Sequence, residues 1–144
     1  MYSLSVALEK SIVDYLSANV TSSLGAHFYR GQNNETIAAP AVKVEAISSI
    51  ETYIYTRVYK VTTTIEVKEI ASDTNNSSIG VLAGNVFNLF YDSTVPTNLT
   101  NTNYGVAVFQ VQPLDMSTDI QQDALVNKHT FDIICCQSGT TSIP

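Results

Sequence analysis

Residues 40–70 read PAVKVEAISSIETYIYTRVYKVTTTIEVKEI, the longest uninterrupted β signal in the chain. In the second half Tyr59, Val61, Thr63, Ile65 and Val67 alternate with Lys60, Thr62, Thr64, Glu66 and Lys68. That is the period-two pattern of a strand with one dry and one wet face. In the first half Val42, Val44 and Ala46 alternate with Lys43 and Glu45. An antiparallel register with Val42 opposite Val61 and Val44 opposite Tyr59 sets both apolar rows on one face. The stretch predicts a long hairpin whose apolar face the rest of the chain covers. Lys43, Glu45, Lys60, Glu66 and Lys68 then fall on the wet face.

Between the two alternating halves, residues 48–57 hold Ile50, Tyr53, Ile54, Tyr55 and Arg57 with no Gly, Pro or Asn to mark a tight turn. Two Ile and two Tyr are unusual at a solvated tip. Either the tip folds back on its own core or it projects and docks on a neighbouring subunit, and exposed apolar and aromatic clusters mark contact surfaces. The second reading makes Ile50, Tyr53, Ile54, Tyr55 and Arg57 candidate interface residues.

Outward from the hairpin, Leu4, Leu8, Ile12, Tyr15, Leu16 and Val20 recur at helical spacing, with Glu9, Lys10 and Asp14 off that stripe and Gly25 as the expected stop. Residues 26–30 allow a short strand. After a polar break at 71–78, Ile79, Leu82, Ala83, Val86, Leu89 and Phe90 predict a second helix, with Ser77 or Ser78 as its cap. Gly80 and Gly84, one turn apart, suggest close packing there. A polar loop over 92–103 leads to a strand at 104–112 with apolar residues on both faces, the pattern of a central or doubly covered strand. Residues 113–127 read as a solvated loop, and 129–137 as the last strand. The sum is one α+β domain over residues 1–144: a mainly antiparallel sheet with a long β-hairpin, covered on one face by two helices, in α-β-β-α-β-β order with a possible extra short strand.

At 144 residues and 15.7 kDa the chain is long enough to bury a core without staples. A net charge of −6 with only seven Lys and Arg argues against direct nucleic-acid binding, whose affinity comes mostly from cations on phosphates. A charged fraction of 14% is low against the roughly one quarter of ordinary domains. Part of the surface is therefore covered by uncharged polar side chains or buried against another chain. The opening residues carry Glu9, Lys10 and Asp14 and lack an apolar signal core, and no stretch approaches a membrane span. Folding in the cytoplasm is the expectation, which gives the Asn-x-Ser/Thr triplets no weight as glycosylation sites.

Adjacent Cys135 and Cys136 point to opposite faces of a strand and read as small buried hydrophobes rather than a disulfide. A thiol enzyme with His129 as base fails on distance, since six strand residues separate His129 from Cys135 by roughly 20 Å. Asp115, Asp119 and Asp123 lack calcium-loop spacing and an accompanying His. No catalytic, cofactor-binding or metal-ligating set is expected.

The opening helix over Leu8 to Leu16, the polar loop, the Pro40-Ala41-Val42-Lys43-Val44 strand opening, the long strand at 58–70, the helix at 79–91 and the closing strand at 129–136 together resemble the tail terminator proteins of long-tailed bacteriophages. The resemblance covers nearly the whole chain and rests on order and pattern. It implies a virion protein, without catalytic residues or cofactor, whose subunits close into a hexameric ring on the tail tube. Such a ring stops tube polymerisation and presents a surface to the head connector. The implied partners are further copies of the chain, the tail tube protein and a neck or connector protein, with DNA present only by passage through the lumen. A ring needs two different sticky patches per subunit. The tip supplies one candidate; a sheet edge or a groove beside the second helix supplies the other. Another neck or tail-tube subunit and a small cytoplasmic ligand-binding α+β domain are the alternative readings.

Overall fold

Val42, Val44 and Ala46 on one strand and Val61, Ile65 and Val67 on the next form the apolar floor of a sheet, all fully buried. The computed structural model describes residues 2–21, 24–31, 38–52, 57–71, 79–121 and 123–137, and for 47–52 the backbone alone. Its elements are α1 (Leu4–Asn19), β1 (His27–Arg30), β2 (Ala41–Thr52), β3 (Val58–Ile70), α2 (Val81–Asn88), α3 (Val95–Leu99), β4 (Val106–Gln121) and β5 (Ala124–Gln137). The five strands form one sheet in the order β1-β2-β3-β5-β4. The α+β class holds, but the sheet is mixed: β1 runs parallel to β2, while the other three pairings are antiparallel. The short first strand is present, and α3 is a third helix inside the expected 92–103 loop.

The hairpin exists in a different register. Val42 pairs with Val67 and Val44 with Ile65, and after a shift between Glu45 and Ser49 the ladder resumes with Ile50 opposite Val61 and Thr52 opposite Tyr59. The expected and observed registers differ by an even number of residues, so both keep the apolar rows together, and alternation alone does not distinguish them. The observed one hydrogen-bonds more of both strands. It also uncovers the role of Glu9, expected on the outside of α1 but fully buried. At the irregular stretch of β2 the Ala46 N–H leaves the ladder and donates to Glu9 Oε2 at 2.9 Å. Burial pushes the Glu9 carboxyl pKa up, against the lowering effect of that hydrogen bond.

The helices lie on the same sheet face. Ser11 Oγ of α1 donates to the Leu99 carbonyl of α3, Tyr15 of α1 packs edge-on against Phe90 just after α2, and Phe90 stacks on Phe131 of β5 with ring centroids 4.7 Å apart. α1 ends at Asn19, six residues before Gly25. α2 is shorter than its apolar stripe, and its start owes nothing local to its N-cap, Gly80, which sits at φ +90° in the left-handed region. Glu69 of β3 supplies the cap instead, its Oε1 accepting from Gly80 N at 3.1 Å and Leu82 N at 3.2 Å. The expected caps Ser77 and Ser78 lie outside the described residues. The two glycines are not close-packing devices: a Cβ added at Gly80 or Gly84 meets nothing within 4 Å. Replacing Glu69 by Ala is expected to lower unfolding stability by about 1–2 kcal/mol, the cost of a lost helix cap, in urea denaturation at neutral pH.

Candidate assembly surface

β4 does not lie at the centre of the sheet, where its apolar residues on both faces had placed it. It is an edge strand, paired on one side by β5 and bridged on the other, at its start alone among the described residues, by Thr100 and Asn101. Val106 and Val108 point into the core, while Phe109, at the register shift after Val108, is 55% exposed. Residues 113–121, expected as a solvated loop, continue the strand, and β5 begins at Ala124 instead of His129. The pattern concealed this arm because, beyond Val111, every residue of β4 is exposed and neither face alternates. Backbone pairing with β5 holds it, and Pro113, which lacks an N–H, is tolerated beside a register shift on an edge. Asp115 and Asp119 are accordingly side chains of an exposed strand.

The arm carries Leu114, Met116 and Ile120 at 41%, 60% and 73% exposure. A long exposed edge with large apolar side chains is the feature that soluble proteins normally blunt, because its unpaired N–H and C=O groups invite another strand. Met116 pairs with His129 and Ile120 with Leu125, placing both on the sheet face that bears the helices, beyond the area those helices cover. Next to the arm, Phe90, Tyr91, Pro96, Phe109, Val111 and Pro113 line a groove of about 300 Å³. The groove lies between β4 and the segment that joins α2 to α3, with no residue of α2 itself in its lining, and it is continuous with the edge.

His129 anchors the arm to the body. Its ring is fully buried, stacked on Phe131 at 4.0 Å and edge-on to Phe87 at 5.3 Å. Nδ1 lies 3.1 Å from the Thr130 carbonyl, which can only accept, so Nδ1 carries the hydrogen of the neutral ring and Nε2 accepts from the Tyr91 hydroxyl. Burial holds the His129 pKa below the usual imidazole value, with hydrogen bonds to the backbone of Thr130 and Asp115 pulling the other way.

On the opposite edge, β1 is only four residues long. Beside it Lys10, Val13, Phe28, Tyr29, Arg30 and Tyr104 border a groove of about 480 Å³ between α1 and β1. Lys10 Nζ sits over the Tyr2 and Tyr104 rings at 5.0 and 5.8 Å, and the Tyr104 hydroxyl donates to Asp14. Arg30 Nη1 is buried and finds no hydrogen-bond partner among the described residues.

Of the interface candidates read from the hairpin tip, Tyr53, Ile54 and Tyr55 lie outside the described residues. Ile50 is an in-register residue of β2 opposite Val61, not part of the tip, and Arg57 is exposed just before β3. The wet face is half-buried and mixed in charge: Lys43 lies opposite Glu66, and Glu66 pairs with Lys128 at 3.7 Å. Cys135 and Cys136 are buried and unpaired as expected, and burial pushes the Cys135 thiol up to about 12, where it is inert at neutral pH. Among the described residues no three His, Cys, Asp or Glu side chains gather to hold a metal, and no helix is long and apolar enough to cross a membrane.

The β4 edge went unread because apolar residues on both faces of a strand signal two covered faces as readily as one covered face and one adhesive face. Compared with known proteins, the chain matches no family model and no curated protein sequence.

Proposed function

We propose that the chain is a structural virion subunit that assembles with copies of itself into a ring, six by the family it resembles, on the end of a phage tail tube. There it stops polymerisation and offers a docking surface to the neck or head connector. The observation that carries this reading is the exposed apolar flank of β4, an assembly surface on a chain with few charges. The order of its elements supports the same reading. A net charge of −6 suits a lumen through which DNA passes without being gripped. No residue is given a catalytic role, and no cofactor is invoked.

The long edge also favours a second reading, a neck or tail-tube subunit, because the same contact propagates into an open polymer when its rotation does not close. Light scattering over a wide concentration range, with particle images, separates the two. A closed species near six times 15.7 kDa, seen as rings alone or on added tail tubes, is the expected result. Filaments would favour the tube subunit, and a monomer that also fails to bind tubes would overturn both.

A further inference from the structure

Resting on that self-assembling reading, we infer that the ring contact is heterologous strand addition, in which the exposed half of β4 pairs with the edge of β1 that no other described strand occupies, in the next copy. The first support is direction. β1 runs with β2, β5 runs with β2 through β3, and β4 runs against β5, so the two outer strands of the sheet are antiparallel. A rotation that keeps strand direction, as a cyclic ring with its axis along the strands does, therefore brings β4 and the neighbour's β1 together as an antiparallel pair.

The second support is shape. Phe28 and Arg30 of β1 lie opposite Val42 and Val44, hence on the face that bears the helices. Met116 and Ile120 occupy the same face of β4. In a continuous sheet they enter the groove between α1 and β1, against Phe28 and Val13.

The third support is charge, which also selects the occupant. The β4 strand contains Asp115 and Asp119 and no Lys or Arg, and β1 contains His27 and Arg30 and no acid, while the groove beside it carries both Lys10 and Asp14. A two-fold β4-to-β4 contact is allowed by direction but opposes Asp115 and Asp119 of one copy to those of the other, which is unfavourable for like charges across a ladder. The β1 edge opposes no acid to them: Asp119 alternates with Ile120 onto the face away from the helices, where β1 presents His27 and Tyr29.

Two variants of the full chain test this. Met116→Lys with Ile120→Lys blocks the β4 edge at exposed positions; Lys10→Glu with Tyr29→Glu blocks the β1 edge without touching the core. Circular dichroism and melting check that each folds, and Lys10→Glu alone serves should the double change not fold. In sedimentation velocity, where the wild-type chain is a ring, each variant alone is expected to lose every species above the monomer. Their equimolar mixture, with one intact edge on each partner, is expected to stop at a heterodimer of twice 15.7 kDa. A dimer formed by the β1-blocked variant alone shows β4-to-β4 pairing and overturns the inference. Rings formed by the β4-blocked variant also overturn it while leaving the ring reading intact. A wild-type chain that assembles neither alone nor on tail tubes removes both.

Discussion

Phe131→Ala is expected to lower unfolding stability by about 3–5 kcal/mol, a large share of what a domain of this size possesses. Phe131 is fully buried, stacked between Phe90 and the His129 ring at centroid distances of 4.7 and 4.0 Å. Its removal forfeits the transfer free energy of an aromatic side chain and leaves a cavity. The walls do not collapse easily: Phe90 is held edge-on by Tyr15, and His129 by Thr130 and Tyr91. Urea denaturation with a two-state fit reads the loss as a lower midpoint at unchanged slope. A loss below about 1 kcal/mol would mean that this stack is not the centre of the core.

Acidification is expected to destabilise the fold through His129. Its native pKa lies below the ordinary 6.5 because burial disfavours the imidazolium. As pH falls through about 6.5, the unfolded chain takes up a proton that the native ring refuses. Unfolding is favoured, and stability drops by up to about 1.4 kcal/mol per pH unit until the native pKa is reached. Glu9 acts with the opposite sign at lower pH, since a carboxyl with a raised native pKa takes up its proton in the folded state first. His129→Phe keeps an aromatic ring in the stack and removes the titration, so it isolates the histidine. Melting temperatures from pH 7.5 to 5.5 are expected to fall more steeply for the wild type than for the variant, whose acid dependence is flattened. Parallel curves would place the pH sensitivity elsewhere.

The interface residues and the core residues meet at one strand pair. β5 presents Phe131, Ile133 and Cys135 to the helices, and on its other side holds the strand whose exposed flank is the assembly candidate. Met116 and Ile120 are already in water and cost little to replace, whereas Phe131 is buried. Assembly and folding are therefore separable by mutation.

The amino-acid sequence by itself determined which side of its own element each patterned residue occupies. Val42, Val44, Ile65, Phe131 and Ile133 were legible as core because Cβ direction alternates along a strand, and Leu8, Ile12 and Leu16 because a helix repeats every 3.6 residues. Only the tertiary structure decided what faces those sides. Registers that differ by an even number of residues satisfy the same alternation, so the pairing of Val42 with Val67 is set by long-range ladder length and the β2 irregularity. Glu9 read as an outward charge and the pattern assigned Glu69 no role, until distant backbone N–H groups, of Ala46 for the first and of Gly80 and Leu82 for the second, gave them partners. β4 read as a covered strand followed by a loop, and it became an open apolar edge because strand order is not written in the periodicity of any one strand. Local pattern records the direction of a side chain; its neighbour is chosen by the rest of the chain.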